Sequence, residues 1–597
     1  MTFLNRLRRS GSNEAQATST GISHGQPEFI GDGDVKYAVE QSGNDSGPSY
    51  QDASGAPVEV KSPLGYSVGG VTILFLNISM MIGTGVYSTP AGILSGVGSP
   101  GLAFIYWTIG FLLSASSLAV YLEYMAYFPN RSGSEVVYLE QAYPKPRYLF
   151  PTVFALWMLI LSFSSSNCIV LAAYLFQING HSPSPWELKG VAIAAFTVVI
   201  IVLGINTRFA YRVSNAIGVV KLLTLIFVAI TGLVVLGGHT RVEDPKANFR
   251  KPFSGTSSQP YGLTTSLVYI YFSYGGYNNA FNVVNEVKNP LKAIKIYSAI
   301  SLSIVYVLYL FANVAYIAAV PLAELKSSRQ TAASLFFIKV FGSSGAVKGL
   351  NFLIALSAFG NLLAGNIGIS RITRECGRQG VLPYPRFWAS TRPFGTPFGP
   401  YLIKYVLTVL MILAPPAGDA FNFIVSLQQY PYSVFNVFVA VGVYFVRSRR
   451  AKLGLPRGEF RAWDVVVVFN ILVNLYLVIM PWYPPASGRN GGNVSFWYGT
   501  STVTGIAVII LCVAYYFIWI YGIPYWRGYR IRQTTIVLQD GANTHTLVKV
   551  PLDQLAEWDR THDPSGKLID DDSGLEGDVT GDGQRKGATT VDNELKV

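Results

Sequence analysis

From Gly70 onwards, the chain alternates between long apolar runs and short polar connections. Each run has about the 20 residues that an α-helix needs to cross the hydrocarbon core of a bilayer. The pattern therefore predicts an all-α integral membrane protein with twelve transmembrane helices. The predicted spans cover residues 70–96, 101–126, 148–177, 187–205, 213–237, 262–286, 293–319, 348–371, 399–415, 420–446, 463–481 and 498–522.

The first span is interrupted near its middle by Gly83-Thr84-Gly85. Unpaired backbone amides at membrane depth are tolerated where they line a cavity or meet a ligand. A helix that breaks there offers half-helix ends whose partial charges can hold a small zwitterion or an ion. The alternative is a kink, or a packing seam of the Gly-xxx-Gly kind. The glycines are too closely spaced for that seam, and the interruption favours a binding site.

A second interruption lies in the sixth span, at residues 272–279, where the sequence reads Phe-Ser-Tyr-Gly-Gly-Tyr-Asn-Asn. Five spans lead from the first interruption to the second, so the two segments would cross the membrane in opposite directions. Broken segments at matching positions of two halves are typical of inverted-repeat transporters. The pair therefore predicts a 5+5 inverted repeat of spans one to five and six to ten, with spans eleven and twelve peripheral.

Polar side chains fall on one side of the helix in two further spans. They are Ser164, Asn167 and Tyr174 in the third span, and Ser357 and Asn361 in the eighth. Such residues either form hydrogen bonds between helices or line a cavity. The sequence supports both interpretations equally.

Lys221 lies in the fifth span, nine residues beyond the basic boundary at Arg212. At 1.5 Å per residue this is a depth of roughly 13 Å, which is too deep for comfortable snorkelling. Ser214, Gly218 and Thr224 share its face, so the lysine is expected to point into the bundle. A buried lysine can exchange a proton during transport, or it can act as a fixed counter-charge.

Glu123, late in the second span, and Glu286, at the end of the sixth, fall near the predicted inner face. Each could pair with a loop arginine such as Arg131 or Arg371. Such pairs could act as gates, or the glutamates could be ordinary interfacial charges. The second interpretation is slightly favoured.

The composition agrees with a membrane protein, since 50% of the 597 residues are hydrophobic, 13% are charged and the mean hydropathy is +0.35. The net charge of +12 could indicate a nucleic-acid partner. Lysine and arginine instead fall mostly in short connections on one side, which places both termini in the cytosol. Two longer outer loops, residues 238–261 and 320–347, also carry basic residues, but the rule is weaker for long loops. No nucleic-acid partner is expected.

Other chemistries have no support in the sequence. Cys168, Cys376 and Cys512 lie far apart and indicate neither a disulfide nor a metal framework. There is no Walker loop and no His-Glu-x-x-His motif, and the five histidines form no cluster within the spans. We therefore expect no enzyme activity, catalytic residue, cofactor or metal.

The polar composition of both ends predicts cytosolic tails, with an acidic run at residues 570–572 in the second. We expect both tails to be largely disordered. Lys36 and Lys61 are candidate modification sites, and the tails are candidate partners of ubiquitin-ligase adaptors. The predicted division is a tail at 1–67, a transporter core at 68–450, helices eleven and twelve at 451–525, and a second tail at 526–597.

Several motifs resemble those of a known transporter superfamily. Residues 82–87 (Ile-Gly-Thr-Gly-Val-Tyr) resemble the first-span signature of the amino acid–polyamine–organocation superfamily. The chain also resembles the L-type amino acid transporter branch of this superfamily, at residues 121–123, 273–278, 285–290, 357–361 and 377–383. Within that branch, residues 390–394 and 414–423 and the long polar tails resemble the fungal high-affinity methionine permeases. The resemblance covers about residues 68–450.

The resemblance implies a LeuT-like fold and a sodium-independent permease at the plasma membrane. Such a protein would import methionine or a similar large neutral amino acid by alternating access, and the buried Lys221 adds the expectation of coupling to protons. The alternatives are a permease for another amino acid and a non-transporting receptor of the same fold. No cysteine precedes the fourth span at the position that would join a heavy-chain partner, so we expect a free-standing transporter.

The resemblance also implies roles for individual residues. The substrate carboxylate would meet the backbone of Gly83-Thr84-Gly85, and its amine the carbonyls around Phe272 and Ser273. Phe272 would be a gate, and Lys221 would stand where sodium sits in sodium-coupled relatives. From their positions in the sequence we also expect Glu286 to act as a gate and Lys221 to couple transport to protons. The expected substrate-binding residues are Ile82, Gly83, Thr84, Gly85, Asn167, Phe272, Ser273, Tyr274, Gly275, Asn278, Ser357 and Asn361.

Overall fold

The computed structural model describes residues 29–30, 36–45, 47–59, 61–328, 332–342, 345–392, 394–414, 420–490, 492–538 and 541–569. The acidic run at residues 570–572 lies outside these residues, as does the first part of the predicted amino-terminal tail. The helices of the amino-terminal half are α1 Gly70–Met81, α2 Gly85–Ser88, α3 Pro90–Val97, α4 Pro100–Tyr127, α5 Glu135–Ala142, α6 Leu149–Leu161, α7 Ser165–Ile178, α8 Pro185–Ile205 and α9 Thr207–Leu236.

The second half begins with α10 Pro260–Tyr274, which a 3-10 helix at Asn279–Glu286 follows. The remaining helices are α11 Pro290–Ala319, α12 Leu322–Ser327, α13 Ala332–Phe341, α14 Gly345–Arg378, α15 Pro385–Ala389, α16 Phe398–Leu413, α17 Ala420–Lys452, α18 Asp464–Ile479, α19 Thr500–Phe517, α20 Ile523–Arg527 and α21 Leu555–Thr561. Short 3-10 helices at Ala247–Phe249 and Met480–Trp482 and a π-helical turn at Ile518–Gly522 complete the helical structure.

Prolines mark where many of these helices begin. Pro90, Pro100, Pro185, Pro260 and Pro290 each occupy the first position of a helix. A proline there loses no hydrogen bond, because the first amides of a helix have no intrahelical acceptor, and its fixed φ suits the helix. The predicted boundaries of the apolar runs therefore agree with local backbone chemistry.

Ten segments of the described residues are helical, long and apolar enough to cross a membrane. The all-helical, multi-pass prediction is confirmed. The two other predicted spans are shorter in the structure. The sixth corresponds to α10 and the 3-10 helix after it, and the ninth to the 16 residues of α16.

The first span lies at the centre of the bundle, where α1 packs against α9, α11 and α14. Within its apolar segment 78% of the residues are buried, against 22% in the spans that contain α18 and α19. Those two helices expose large apolar side chains such as Leu472, Ile510 and Leu511. Apolar surface of this kind faces lipid in a membrane, so α18 and α19 lie at the periphery of the bundle.

Both terminal segments fold onto one end of the bundle, which we call the terminal face. Strands β1 Phe29–Ile30, β2 Tyr37–Glu40 and β3 Ser49–Asp52 form an antiparallel sheet, and β4 Tyr529–Val537 pairs with β5 Asn543–Pro551 in a hairpin. The two meet where Gln533 Nε2 lies 3.5 Å from the carbonyl oxygen of Ala53. The expectation of disorder does not hold for the described residues of either tail.

Buried ion pairs explain why these polar segments are ordered. Glu59 lies 2.7 Å from Arg374 and 3.4 Å from Arg378, at the end of α14. Arg378 also pairs with Glu375 at 2.6 Å, and Glu375 with Arg131 at 2.6 Å. Composition predicts disorder when a segment has little apolar surface to bury. Here charges of the bundle supply partners that the segment's composition alone does not reveal.

His545 of β5 is enclosed between the hairpin and this ion-pair cluster. Its side chain is 1% exposed, and neither ring nitrogen has a hydrogen-bond partner among the described residues. Burial, together with the nearby Arg131 and Arg378, lowers the pKa of His545 to about 3. The ring is therefore neutral in the docked hairpin and takes up a proton below about pH 6.5 when the hairpin opens.

We predict that acid loosens the hairpin through His545. Between pH 6.5 and 3 the opened state binds one more proton than the docked state, so docking weakens as the pH falls. At pH 5 the loss is about 2 kcal/mol, or roughly 30-fold in the opening equilibrium. Hydrogen exchange of residues 529–551, corrected for the intrinsic pH dependence of exchange, measures this equilibrium.

The control for this prediction is His545→Gln, because Glu40 and Glu140 are also buried and burial raises their pKa. Those carboxyl groups titrate in both proteins, so the histidine accounts for the difference between them. Equal pH dependence in wild type and variant would contradict the prediction.

Candidate functional site

The structure brings the two interruptions side by side in the middle of the bundle. Thr89 Oγ1, after the first interruption, lies 3.1 Å from Ser273 Oγ in α10. The hydroxyl of Tyr309, from α11, lies between two carbonyl oxygens, 2.6 Å from that of Met81 and 2.9 Å from that of Ser273. One side chain therefore joins the carbonyl ends of both broken helices.

The last turn of α1 and the residue after it leave carbonyl oxygens without intrahelical partners. Four consecutive oxygens accept hydrogen bonds from side chains of three other helices instead. They are Ser79 O from Lys221 Nζ at 2.7 Å, Met80 O from Asn361 Nδ2, Met81 O from the Tyr309 hydroxyl at 2.6 Å, and Ile82 O from Ser357 Oγ at 3.1 Å. The carbonyl end of the interruption is thus satisfied by the protein.

The amide end of the interruption is different. Helix α2 begins at Gly85, and no side chain of the described residues caps its amino terminus. Gly83, Thr84 and Gly85 all line a cavity. An uncapped helix amino terminus presents N–H groups and a partial positive charge, which suit an anion.

This cavity has a volume of about 240 Å³. Eight of the twelve predicted substrate-binding residues line it: Gly83, Thr84, Gly85, Asn167, Phe272, Gly275, Asn278 and Asn361. Ile82, Ser273, Tyr274 and Ser357 lie behind this wall and are not part of it. Ser357 and Ser273 act on the interruptions through hydrogen bonds, and Tyr274 packs edge-on against Trp107 at 5.8 Å.

Asn167 and Asn361 take both of the roles that the sequence left open. Thr84 Oγ1 donates to Asn167 Oδ1 at 2.5 Å, and Asn167 Nδ2 donates to Asn361 Oδ1 at 2.9 Å. The two asparagines therefore join three helices and also face the cavity. Tyr174, on the same side of α7, lies outside the wall and is 3.3 Å from the carbonyl oxygen of Tyr87.

The cavity extends from the interruptions towards the terminal face. Its wall includes Asn282 and Ile372, and Ile372 lies two residues before the Arg374 that meets Glu59. On the other side, the ring of Phe272 packs edge-on against Phe421, with centroids 6.0 Å apart. Phe421 lies in the first turn of α17, whose far end reaches the terminal face through Arg449, 3.1 Å from the hydroxyl of Tyr37.

Sequence reasoning missed Glu135, an acidic residue in the cavity wall. It is 2% exposed and accepts hydrogen bonds from the Tyr121 hydroxyl at 2.5 Å and from Asn278 Nδ2 at 2.9 Å. Its helix, α5, lies between the second and third predicted spans, so hydropathy treats it as a loop. The signal was the apolar run Val136-Val137 directly after a glutamate, which is unusual for a solvated connection.

Lys221 does not line the cavity. Its side chain is 1% exposed, and its Nζ donates to the carbonyl oxygen of Ser79. This places the ammonium group at the carbonyl end of α1, where a helix favours positive charge. The predicted inward orientation agrees with the structure.

Glu286 and Glu123 also lie away from the cavity, and both are buried in ion pairs. Glu286 meets Arg371 at 2.9 Å, and Glu123 meets Arg447 at 2.7 Å. The expected pairing with an arginine is therefore present for both glutamates, and their role as gates or as ordinary interfacial charges stays a prediction. Glu286 has one of the two suggested arginine partners, whereas Arg131 pairs with Glu140 and Glu375 instead.

Comparison with known proteins identifies the class. Residues 68–512 match the family model described as amino acid permease, and the chain belongs to this family. Its function is amino acid transport across a membrane, as expected, and it is a transporter and not an enzyme.

Named relatives agree with this family. The chain is 31% identical to the high-affinity methionine permease of Saccharomyces cerevisiae, over 83% of this chain and 86% of the relative. It is 26% identical to the low-affinity methionine permease of the same yeast, over 87% and 95%. The large neutral amino acids transporter small subunit 2 of Mus musculus is 26% identical, over 75% and 82%.

We predict that Gly85→Ala lowers the transport rate at least tenfold. A Cβ at this position would lie 2.6 Å from Ser273 Oγ and 2.8 Å from its Cα, so the two broken segments would have to separate. The measurement is initial uptake normalised to surface expression. Gly190→Ala is the matched control, because a Cβ there has no atom within 4 Å. Equal uptake by the two variants would show that the close approach of the segments is dispensable.

Proposed function

We propose that this permease imports methionine or a similar large neutral amino acid. The observation that carries the proposal is a cavity between two broken helices, with an uncapped amide end on one side and apolar side chains around it. Trp157, Met158 and Leu161 supply an apolar surface for a side chain. A thioether packs well against aromatic rings and flexible apolar groups. The names of the two yeast relatives support methionine.

In this proposal the substrate carboxylate meets the backbone of Gly83-Thr84-Gly85 and accepts from the amides of Thr84 and Gly85, because the Gly83 amide already donates to Met81 O at 2.8 Å. The substrate amine binds carbonyl oxygens around Phe272 and Ser273. The oxygen of Ser273 already accepts from Tyr309 and that of Phe272 from Gly275 N at 3.0 Å, but a carbonyl oxygen has two lone pairs. Phe272 would then be the gate that covers the bound side chain, with Phe421 beside it.

The proposed architecture has twelve transmembrane helices and the LeuT-like 5+5 inverted repeat. The proximity of the two interruptions supports it, since inverted repeats place their broken helices around one central site. Transport would proceed by alternating access, with Glu286 and Arg371 in a gate near the terminal face. We place the protein in the plasma membrane with both termini in the cytosol.

The exposure of two lysines and the burial of the cysteines provide evidence on partner proteins. Lys36 and Lys61 are exposed and therefore accessible for modification, which supports ubiquitin-ligase adaptors as partners of the amino-terminal segment. All three cysteines are buried and free, which supports a free-standing transporter.

Uptake of labelled methionine tests the proposed function. Cells that lack their own methionine permeases should accumulate methionine saturably when they express this chain. Unlabelled large neutral amino acids should compete, and small or charged ones should not. Methionine binding by the purified protein with no accumulation in cells would contradict the proposal and indicate a receptor.

We further propose that transport is coupled to protons through Lys221 and not to sodium. If the lysine carries one proton per substrate, a membrane potential of ~100 mV contributes ~2.3 kcal/mol. At about 1.4 kcal/mol per decade, this supports roughly 50-fold accumulation. The alternative is a permanent positive charge that stabilises the carbonyl end of α1.

Lys221→Gln separates the two roles, because glutamine can still donate a hydrogen bond to Ser79 O but does not titrate. Coupling through Lys221 predicts that exchange of labelled for unlabelled substrate persists, while uphill accumulation and its sensitivity to an uncoupler are lost. If the variant still concentrates substrate in an uncoupler-sensitive way, Lys221 is a fixed charge. Glu135, which is buried in the cavity wall, is then the next residue to substitute.

A further inference from the structure

A second cavity, of about 220 Å³, lies at the terminal face and is separate from the cavity between the broken helices. Its wall is formed by the end of α4, the start of α11, the end of α17, residues 456–459, and Asp45, Gly47, Pro48 and Tyr50 of the amino-terminal segment. The charged groups in this wall are Asp45, Lys292, Arg450, Arg457 and Glu459. Three of them are basic and two are acidic.

Arg450 is the buried member of this group, with a side chain that is 6% exposed. Its Nη2 donates to the carbonyl oxygen of Pro456 at 2.9 Å. Its Nε and Nη1 are buried and have no hydrogen-bond partner among the described residues. These two nitrogens carry three of the five N–H groups of a guanidinium. Buried donors without acceptors are costly, and they commonly mark a bound water or ion.

The other buried arginines of the described chain are paired differently. Arg131, Arg371, Arg374 and Arg378 are each at most 5% exposed, and each lies within 3.0 Å of a glutamate oxygen. No carboxylate of the described residues lies within ion-pair distance of Arg450. Each of these four buried arginines therefore has a glutamate partner, whereas no carboxylate of the described chain supplies one to Arg450.

Two tyrosine rings hold the Arg450 guanidinium in place. Its Cζ lies 4.5 Å from the ring centroid of Tyr127 and 5.8 Å from that of Tyr50. Contact with a ring face offsets part of the cost of burying the charge. It supplies no acceptor in the plane of the N–H groups, so Nε and Nη1 still lack one among the described residues. The two rings therefore orient the guanidinium but do not neutralise its charge.

We propose that this cavity binds a phosphate group, through Arg450 with Lys292 and Arg457 beside it. A guanidinium matches the oxygens of a phosphate through paired N–H donors. The bound anion neutralises Arg450 and holds residues 47–50 against α4, α11 and α17. The phosphate can belong to an anionic lipid headgroup, because basic pockets between membrane helices suit such groups, or to a soluble phosphate.

The test uses the full chain, purified in detergent, and measures the midpoint of thermal unfolding as ligand is added. One arm uses inorganic phosphate, with sodium chloride at the same ionic strength as its control. The other arm uses micelles that contain phosphatidylinositol 4-phosphate, with phosphatidylcholine as its control. We expect the midpoint to rise in at least one phosphate arm and in neither control. A response to the lipid alone identifies a headgroup, and a response to inorganic phosphate identifies a soluble anion.

Substitutions assign the effect to the cavity. Arg450→Gln should weaken the apparent affinity at least tenfold. The matched control is Arg461→Gln, which removes the same charge from an exposed residue outside the wall. Should Arg450→Gln fail to fold, the double variant Lys292→Gln with Arg457→Gln replaces it, since both side chains are exposed. No rise of the midpoint with either phosphate probe, or equal affinities in the cavity variants and Arg461→Gln, would overturn the proposal.

Discussion

A helix that stops in the middle of a membrane must have its free carbonyl oxygens satisfied, because lipid offers no hydrogen-bond donors. The interruption after α1 meets this requirement with four donors from other helices, one to each of the oxygens of residues 79–82. The donors come from α9, α11 and α14, which are the helices that pack around α1. The helices that pack around α1 are therefore the same helices that satisfy its free carbonyl oxygens.

The two ends of the interruption differ in how their backbone groups are satisfied, and this difference connects the packing to transport. Side chains occupy the carbonyl end, whereas the amide end at Gly83-Thr84-Gly85 has no side-chain cap and faces the cavity. A ligand with a carboxylate can therefore accept hydrogen bonds from the amides that no side chain caps. Tyr309 adds a second constraint, because its hydroxyl lies between the carbonyl oxygens of Met81 and Ser273. Movement of either broken helix changes this contact, so the two segments cannot move independently at no cost.

The sequence predicted correctly those features that depend on a single short segment of the chain. The apolar runs predicted the spans, and the glycines at 83 and 85 predicted the interruption, since both depend on backbone chemistry within a few residues. The asparagines at 167 and 361 could be placed on a helix face, but their mutual hydrogen bond depends on two helices far apart in the chain. Glu135 escaped notice because its helix is too short for a hydropathy signal. The ordered tails escaped notice because their order depends on arginines of α14.

Lys221 shows how the position of a charge limits the mechanism. Its amine donates to Ser79 O, and a neutral amine keeps two N–H groups with which it could still donate. The hydrogen bond alone therefore does not distinguish a charged from a neutral lysine. The carbonyl end of α1 favours the charged form, while burial in the bundle opposes it. Any movement of α1 away from α9 changes both effects together. A proton can thus be coupled to transport only if the step that moves α1 also changes the surroundings of this amine.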